Sequence, residues 1–289
     1  MKKLLFNGCS FVAGDAIVWE EYLKLNNIPV EDYFTWLPDS NKETIEQRQQ
    51  IYNNYRNGYR RTRNIPGIVA NYFDTEVIDL SQDGNSNDGI AITTILKLLE
   101  IPAEKRKEFH VVIGWTESTR QARYLKSEDA FFNLHVRHWD QKDTNPYAKE
   151  LIGYLTHGIV LATNRDHYLN YVRNIMLLEN FLKANNVAYT FYRSLGTPFD
   201  CMHHHLDCFF FAEAQLERST DKKTFTDDNN WYKFNNNTTF LGFEGSSIVH
   251  EYMQDGNFRV NPQNGHPNTI LATKVAFDLA EFIKNQGGL

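Results

Sequence analysis

The run His110-Val111-Val112-Ile113-Gly114 constrains the chain more than any other feature. A strand with one face in water alternates apolar and polar residues. This one does not, which is the condition of a strand inside a parallel sheet covered on both faces. Parallel neighbours need crossover connections, usually helices, and the rest of the chain supplies both kinds of element. Leu4-Leu5-Phe6, closed by Asn7-Gly8, reads as a short buried first strand. Residues 75–80 read as a second strand, closed by Gln82-Asp83-Gly84, and residues 187–192 as a fourth. Between them lie stretches of helical period. Residues 15–25 carry Ile17, Val18, Tyr22 and Leu25, and a helix after the second strand carries Ile90, Ile95, Leu98 and Leu99 before Pro102 stops it. Residues 165–184 carry Tyr168, Leu169, Val172, Ile175, Met176 and Leu182 at helical spacing, and Asn185-Asn186 ends them. The last helix carries Leu271, Val275, Leu279 and Phe282 and stops at Gly287-Gly288. Strand and helix alternate throughout, the pattern of an α/β fold with helices on both faces of a central, mostly parallel sheet.

No internal repeat or interdomain linker interrupts this alternation, so residues 1–289 read as a single domain. Two polar, irregular stretches, at about 26–63 and 118–160, read as insertions packed on it. A chain of this length buries a sizeable core without metal or disulfide staples. Its three cysteines, Cys9, Cys201 and Cys208, form no framework, and an odd number suits a reducing compartment. The net charge of −6 argues against a nucleic-acid binder. The basic cluster at 56–63 is interleaved with Asn, Gly and Tyr and reads as solvated surface. No apolar run approaches the roughly 18 residues of a membrane span. The apolar part of the N-terminus, Leu4-Leu5-Phe6, falls far short of the roughly 7–15 residues of a signal peptide. The expected location is therefore cytoplasmic. The abundance of Asn, Lys, Ile, Tyr and Phe, all with AT-rich codons, also fits a viral or AT-rich bacterial genome.

In an open parallel sheet, ligands bind outside the carboxyl ends of the strands. The first loop there is Gly8-Cys9-Ser10-Phe11-Val12-Ala13-Gly14. A serine straight after a strand, flanked by glycines, belongs on a tight turn into a helix, with its hydroxyl exposed beside backbone N–H groups that can face an oxyanion. The plainer role for Ser10 is a helix cap. A phosphate site is not indicated, since neither the dinucleotide fingerprint nor a Gly-Lys-Ser/Thr ending is present. The second loop, Gly84-Asn85-Ser86-Asn87-Asp88, reads first as a turn and N-cap. The third is Gly114-Trp115-Thr116-Glu117, and Asn264-Gly265-His266-Pro267-Asn268 precedes the last helix.

Taken in order, these four segments resemble the conserved blocks of the SGNH (GDSL-like) hydrolases. Gly8-x-Ser10-x-x-x-Gly14 resembles the first block, with Cys9 where many members have Asp. Gly84 is similar to the second-block glycine, Gly114-Trp115-Thr116-Glu117 stands where the third block reads Gly-x-Asn-Asp, and His266-Pro267-Asn268 resembles the fifth. The resemblance implies a three-layer α/β/α sandwich of flavodoxin-like type. It also implies Ser10 as nucleophile, His266 as general base, and an oxyanion hole from the N–H groups of Ser10 and Gly84. Two residues depart from the pattern. Thr116 replaces the asparagine that completes the hole, and Gln263 stands where the triad acid is expected, with Asp255 eleven residues before His266.

The function implied is a serine ester hydrolase working through an acyl-enzyme, with no cofactor. Its substrate would be a small-molecule or carbohydrate ester, as in the carbohydrate O-deacetylases of this superfamily. Trp36, Tyr55, Tyr59, Trp139 and Trp231 suit sugar stacking and ordinary packing equally. The alternatives are an O-acyltransferase using the same serine ester, and a catalytically degenerate binding or structural protein, for instance of a viral particle. His203-His204-His205, between Cys201 and Cys208, matches no zinc spacing and reads as a polar turn.

Overall fold

The computed structural model of the protein describes residues 2–14, 17, 63–116, 118–134, 149–157, 162, 164–194, 240–241, 259–261, 264–267 and 269–287. In chain order the elements are β1 (Lys3–Gly8), α1 (Ser10–Ala13), α2 (Ile65–Tyr72), β2 (Val77–Asp79), α3 (Asn87–Leu99), a 3-10 helix (Ala103–Glu108) and β3 (Phe109–Trp115). They continue with β4 (Gln121–Leu125), β5 (Ala130–Leu134), α4 (Ile152–Leu155), α5 (Asn164–Ala184), β6 (Ala188–Arg193), β7 (Phe240–Leu241), β8 (Arg259–Asn261), β9 (Asn264–Pro267) and α6 (Thr269–Asn285). Five of the strands form one sheet in the order β2-β1-β3-β6-β7, with every neighbouring pair parallel. The protein is thus an α/β protein with a parallel central sheet.

The apolar run at 110–114 is the middle of this sheet. All of β3 is buried, and it pairs with β1 from Lys3↔Phe109 to Gly8↔Gly114 and with β6 from His110↔Ala188 to Trp115↔Arg193. Successive side chains leave opposite faces of a strand, so each strand feeds two cores. Leu4, Phe6, Val112 and Tyr192 pack with Val12 of α1, Ile65 and Val69 of α2, and Leu271, Val275 and Leu279 of α6. Leu5, Val111, Ile113 and Phe191 pack with Ile90 and Leu98 of α3 and with Val172, Ile175, Leu178 and Leu182 of α5. Each such side chain contributes about 1.5–3 kcal/mol relative to exposure.

The helix ends follow their sequence signals. Asn64 caps α2 by accepting the Gly67 N–H at 2.9 Å, with Pro66 in the first turn. Ser86 caps α3 by accepting the Gly89 N–H at 3.2 Å. Past α6, Gly287 takes the left-handed conformation (φ 64°) that a helix C-terminus favours.

Several elements differ from the sequence reading. Residues 118–160 are not uniformly irregular: β4 and β5 form an antiparallel hairpin in which Leu125 and Leu134 pack on Leu151 and Leu155. Its turn, Lys126-Ser127-Glu128-Asp129, lacks the Gly or Asn-Gly that announces a hairpin, and Asp129 takes the positive φ. On α5, Leu169 and Met176 are each 44% exposed. They share the helical period of Val172 and Ile175 but lie on the flank of the buried stripe. Helix α2, the 3-10 helix and β7 were not read from the sequence. Of the helix expected over 15–25, only Ile17 is described, helical and buried. The expected insertion at 26–63 lies outside the described residues except for Arg63. No helix among the described residues is long and apolar enough to cross a membrane.

Candidate active site

In the order β2-β1-β3 the chain runs outward from β1 to one side and returns to the other. The loops after β1 and β3 therefore diverge and open a crevice at the carboxyl ends of the strands. Gly8 and Gly114 are register partners at that end. A Cβ on Gly8 would lie 2.2 Å from Val12 Cγ2, and one on Gly114 would lie 2.4 Å from the same methyl. The two glycines therefore let α1 settle directly onto the strand ends. Gly14, at φ 72°, closes the turn by donating its N–H to Ser10 O at 2.9 Å.

Ser10 is the first residue of α1, not its cap; the cap position belongs to Cys9, which makes no side-chain capping bond. Nor is Ser10 exposed: 2% of its surface is accessible. The reason is packing, because α1 lies on the strand ends while α2 and β9 both pack against it. Ser10 is thus buried in the structure, where the sequence pointed to an open turn.

The loop after β2 is tied down by its side chains. The Gln82 N–H donates to Gly8 O at 3.0 Å, and Gly84 turns the chain at φ 67° with no atom within 4 Å of where a Cβ would stand. Asn85 Nδ2 donates to Gly8 O and to Asn7 Oδ1, each at 3.3 Å. Asn7 in turn accepts the Gly8 N–H at 2.8 Å and places its Nδ2 within 3.1 Å of Ile90 O, Thr93 Oγ1 and Thr94 Oγ1 on α3. Besides capping α3, Ser86 donates to Asn133 Oδ1 on β5 at 2.7 Å. Asn87 Oδ1 accepts the Thr116 N–H at 2.9 Å and its Nδ2 donates to Thr116 O at 3.1 Å. Asp88 Oδ1 accepts the Ala122 N–H at 2.8 Å, and its Oδ2 lies 3.4 Å from Arg123 Nη1. The expected turn and N-cap are present. The same residues also fasten the ends of β1 and β3 and the β4–β5 hairpin, since a carboxamide donates and accepts at once.

At the end of β3, Thr116 is 2% exposed and its Oγ1 has no partner among the described residues. Beside it, on β6, Tyr192 is fully buried, with its hydroxyl 2.9 Å from the place of a Cβ on Gly114 and also without a partner among the described residues. Burial pushes the Tyr192 phenol well above its ordinary pKa, and the neighbouring Cys9 and Asp79 add to the effect. Cys9 Sγ lies 3.6 Å from Ser194 Oγ, which donates to Trp115 O at 3.0 Å. Asp79, at the end of β2, accepts from Asn64 Nδ2 at 2.9 Å and from the Ser81 N–H at 3.0 Å. Sequence reasoning missed Asn7, Asp79 and Tyr192, which lie inside strands and carry no motif.

Ser10, Gly84 and Thr116 thus follow β1, β2 and β3 in turn: Ser10 opens α1, Gly84 lies in the loop after β2, and Thr116 comes directly after β3. The backbone of His266 is in β9, antiparallel to β8, and β9 lies against α1 and α6. Gln263, Asp255, the His203–His205 cluster and the aromatics Trp36, Tyr55, Tyr59, Trp139 and Trp231 lie outside the described residues. A cleft of about 670 Å³ runs along the edge strand β2, between Lys3, Asn64, Pro66 and Phe109. None of Ser10, Gly84 and Thr116 lines it. It flanks the sheet edge and is not the crevice where strand order reverses.

Fold and site together define an α/β protein whose polar loops gather at the carboxyl end of a parallel sheet. The chain belongs to DUF6071, a family of unknown function, whose profile matches residues 44–223. That span holds Gly84, Asn87 and Thr116 but neither Ser10 nor His266. No curated protein matches the chain.

Proposed function

We propose that this protein is a serine ester hydrolase of SGNH type, built as a three-layer α/β/α sandwich. The observation that carries the reading is that β9, which holds His266, lies against α1, which begins with Ser10. The five-stranded parallel order and a core cluster on each face of the sheet support the architecture.

In this mechanism His266 takes the proton of Ser10 as Oγ attacks the ester carbonyl. The resulting oxyanion is held by the N–H groups of Ser10 and Gly84 and by the Thr116 hydroxyl. The intermediate collapses, the C–O bond to the alcohol breaks, and His266 returns the proton to the leaving oxygen. Water, deprotonated by the same imidazole, then hydrolyses the acyl-enzyme and restores Ser10. The substrate class is a small-molecule or carbohydrate ester, with an acetylated sugar as the first choice. One observation favours a second reading. With 2% of its surface accessible, Ser10 suits a binding or structural protein that keeps the fold without turnover.

Incubation with a fluorophosphonate probe, followed by mass mapping, separates the two. The esterase reading expects the adduct on Ser10, with Ser10→Ala and His266→Ala each abolishing p-nitrophenyl acetate turnover. Turnover persisting in Ser10→Ala removes that residue from the mechanism. An unlabelled wild-type protein moves the binding reading to the front.

A further inference from the structure

Asn87 is buried, and its carboxamide grips a single residue twice, through both the N–H and the carbonyl of Thr116. Asn87 opens α3, which follows β2, whereas Thr116 follows β3, and β1 lies between those two strands in the sheet. The pair therefore spans the crevice end of β1. Holding the N–H and C=O of one residue together fixes the peptide planes on both sides of its Cα, and so fixes the direction of its Cβ. It also consumes the Thr116 N–H, leaving the hydroxyl as the donor that Thr116 can offer a ligand. That hydroxyl is buried and has no partner among the described residues. An unsatisfied buried hydroxyl costs about 1–3 kcal/mol, and such a group in a folded protein calls for an atom that completes it.

We propose that Asn87 is a positioning residue for the reaction, acting through Thr116. Its carboxamide aims the Thr116 hydroxyl at the carbonyl oxygen of the ester, as the third donor beside the N–H groups of Ser10 and Gly84. The inference rests on the esterase reading above and adds to it a role for Asn87, which the sequence marks only as part of the turn and N-cap at 84–88. It also accounts for a threonine at this position: its short side chain becomes a usable donor when the backbone behind it is locked.

The test is a double-mutant cycle on the full chain, with turnover of p-nitrophenyl acetate and the rate of Ser10 labelling as readouts. Thr116→Val removes the hydroxyl at nearly constant shape and lowers kcat by about 100-fold, the lower range for one oxyanion donor. Asn87→Ala lowers kcat by about tenfold through misplacement of the hydroxyl, with KM nearly unchanged. In the Thr116→Val background Asn87→Ala costs nothing further, because the group it positions is gone. Asn87→Asp keeps an acceptor for the Thr116 N–H but turns an oxygen, not a donor, toward Thr116 O, so it too lowers kcat, and it carries the cycle if the alanine variant does not fold. Losses that multiply in the double variant overturn the proposal, as does an Asn87 variant with wild-type kcat. If the wild-type protein neither turns over the ester nor is labelled at Ser10, the esterase reading falls and takes the inference with it.

Discussion

The loops after β1 and β2 sit side by side at the same end of the sheet and are held in different ways. The first, from Gly8 to Gly14, is seated mainly by shape: Val12 lies against Gly8 and Gly114, no side chain caps α1, and hydrogen bonds from Asn85 and Asn64 reach Gly8 O and Ala13 O near its ends. The second, from Gly84 to Asp88, is held by hydrogen bonds that Asn85 and Ser86 donate and Asn87 and Asp88 accept, shared with four different segments. Steric fit leaves no room for compromise, because repulsion rises steeply once atoms overlap. A hydrogen-bonded loop distributes its support, and loss of any one bond costs about 1–3 kcal/mol where it leaves a buried partner unpaired. The turn carrying the proposed nucleophile is therefore the rigid, intolerant one, and the loop carrying its supporting donors can absorb change.

Three substitutions can break or sharpen that contrast. The largest expected effect is at Gly8. Gly8→Ala forces a methyl to within 2.2 Å of Val12 Cγ2 and should destabilise the fold by about 1–3 kcal/mol or more through overpacking. For a chain of this size that is a fall of roughly 2–4 °C in Tm per kcal/mol, read by thermal unfolding. Adding Val12→Ala should recover part of the loss, and a Gly8→Ala variant with wild-type Tm would mean that α1 is not seated by contact.

A smaller effect is expected from Ser86→Ala. It removes the cap of α3 and the bond to Asn133, for about 1–2 kcal/mol by denaturant titration. The fold should persist, with faster hydrogen exchange confined to the first turn of α3. Cooperative loss of the whole structure would show that the second loop is as brittle as the first.

The smallest effect belongs to Gly84. Its φ of 67° favours glycine, but nothing stands within 4 Å of a Cβ there, and asparagine tolerates the left-handed region. Gly84→Asn should stay within about 0.5 kcal/mol of wild type, whereas Gly8→Asn should fail to fold. Equal penalties at the two glycines would erase the distinction between crowding and backbone conformation.

Much of the scaffold was legible in the sequence because burial leaves periodic traces. The continuous run at 110–114 became β3, the spaced residues of 165–184 became α5, and Gly287 ended α6. Short or weakly patterned elements were not legible. Helix α2 spans eight residues and opens with Ile65-Pro66-Gly67, too brief to show a helical period, and β7 has only two residues. The hairpin β4–β5 turns on Asp129 without a glycine. At the site, the strand-end positions of Ser10, Gly84 and Thr116 followed from the alternation of elements, but the burial of Ser10 did not. Its neighbours there, α2 and β9, are far away in the chain.

The sequence by itself determined the class of fold, since which residues shun water, and at what period, is a local property written along the chain. It also determined that polar residues would collect after β1, β2 and β3, because in a parallel sheet all strand ends of one sense lie on one side. Only the tertiary structure decided that β9 meets α1, that Gly8 and Gly114 share one methyl, and that Asn87 grips Thr116 across the end of β1. Those contacts join residues from different elements. Their distances depend on how the helices seat on the twisted sheet, and no local pattern in the chain encodes that.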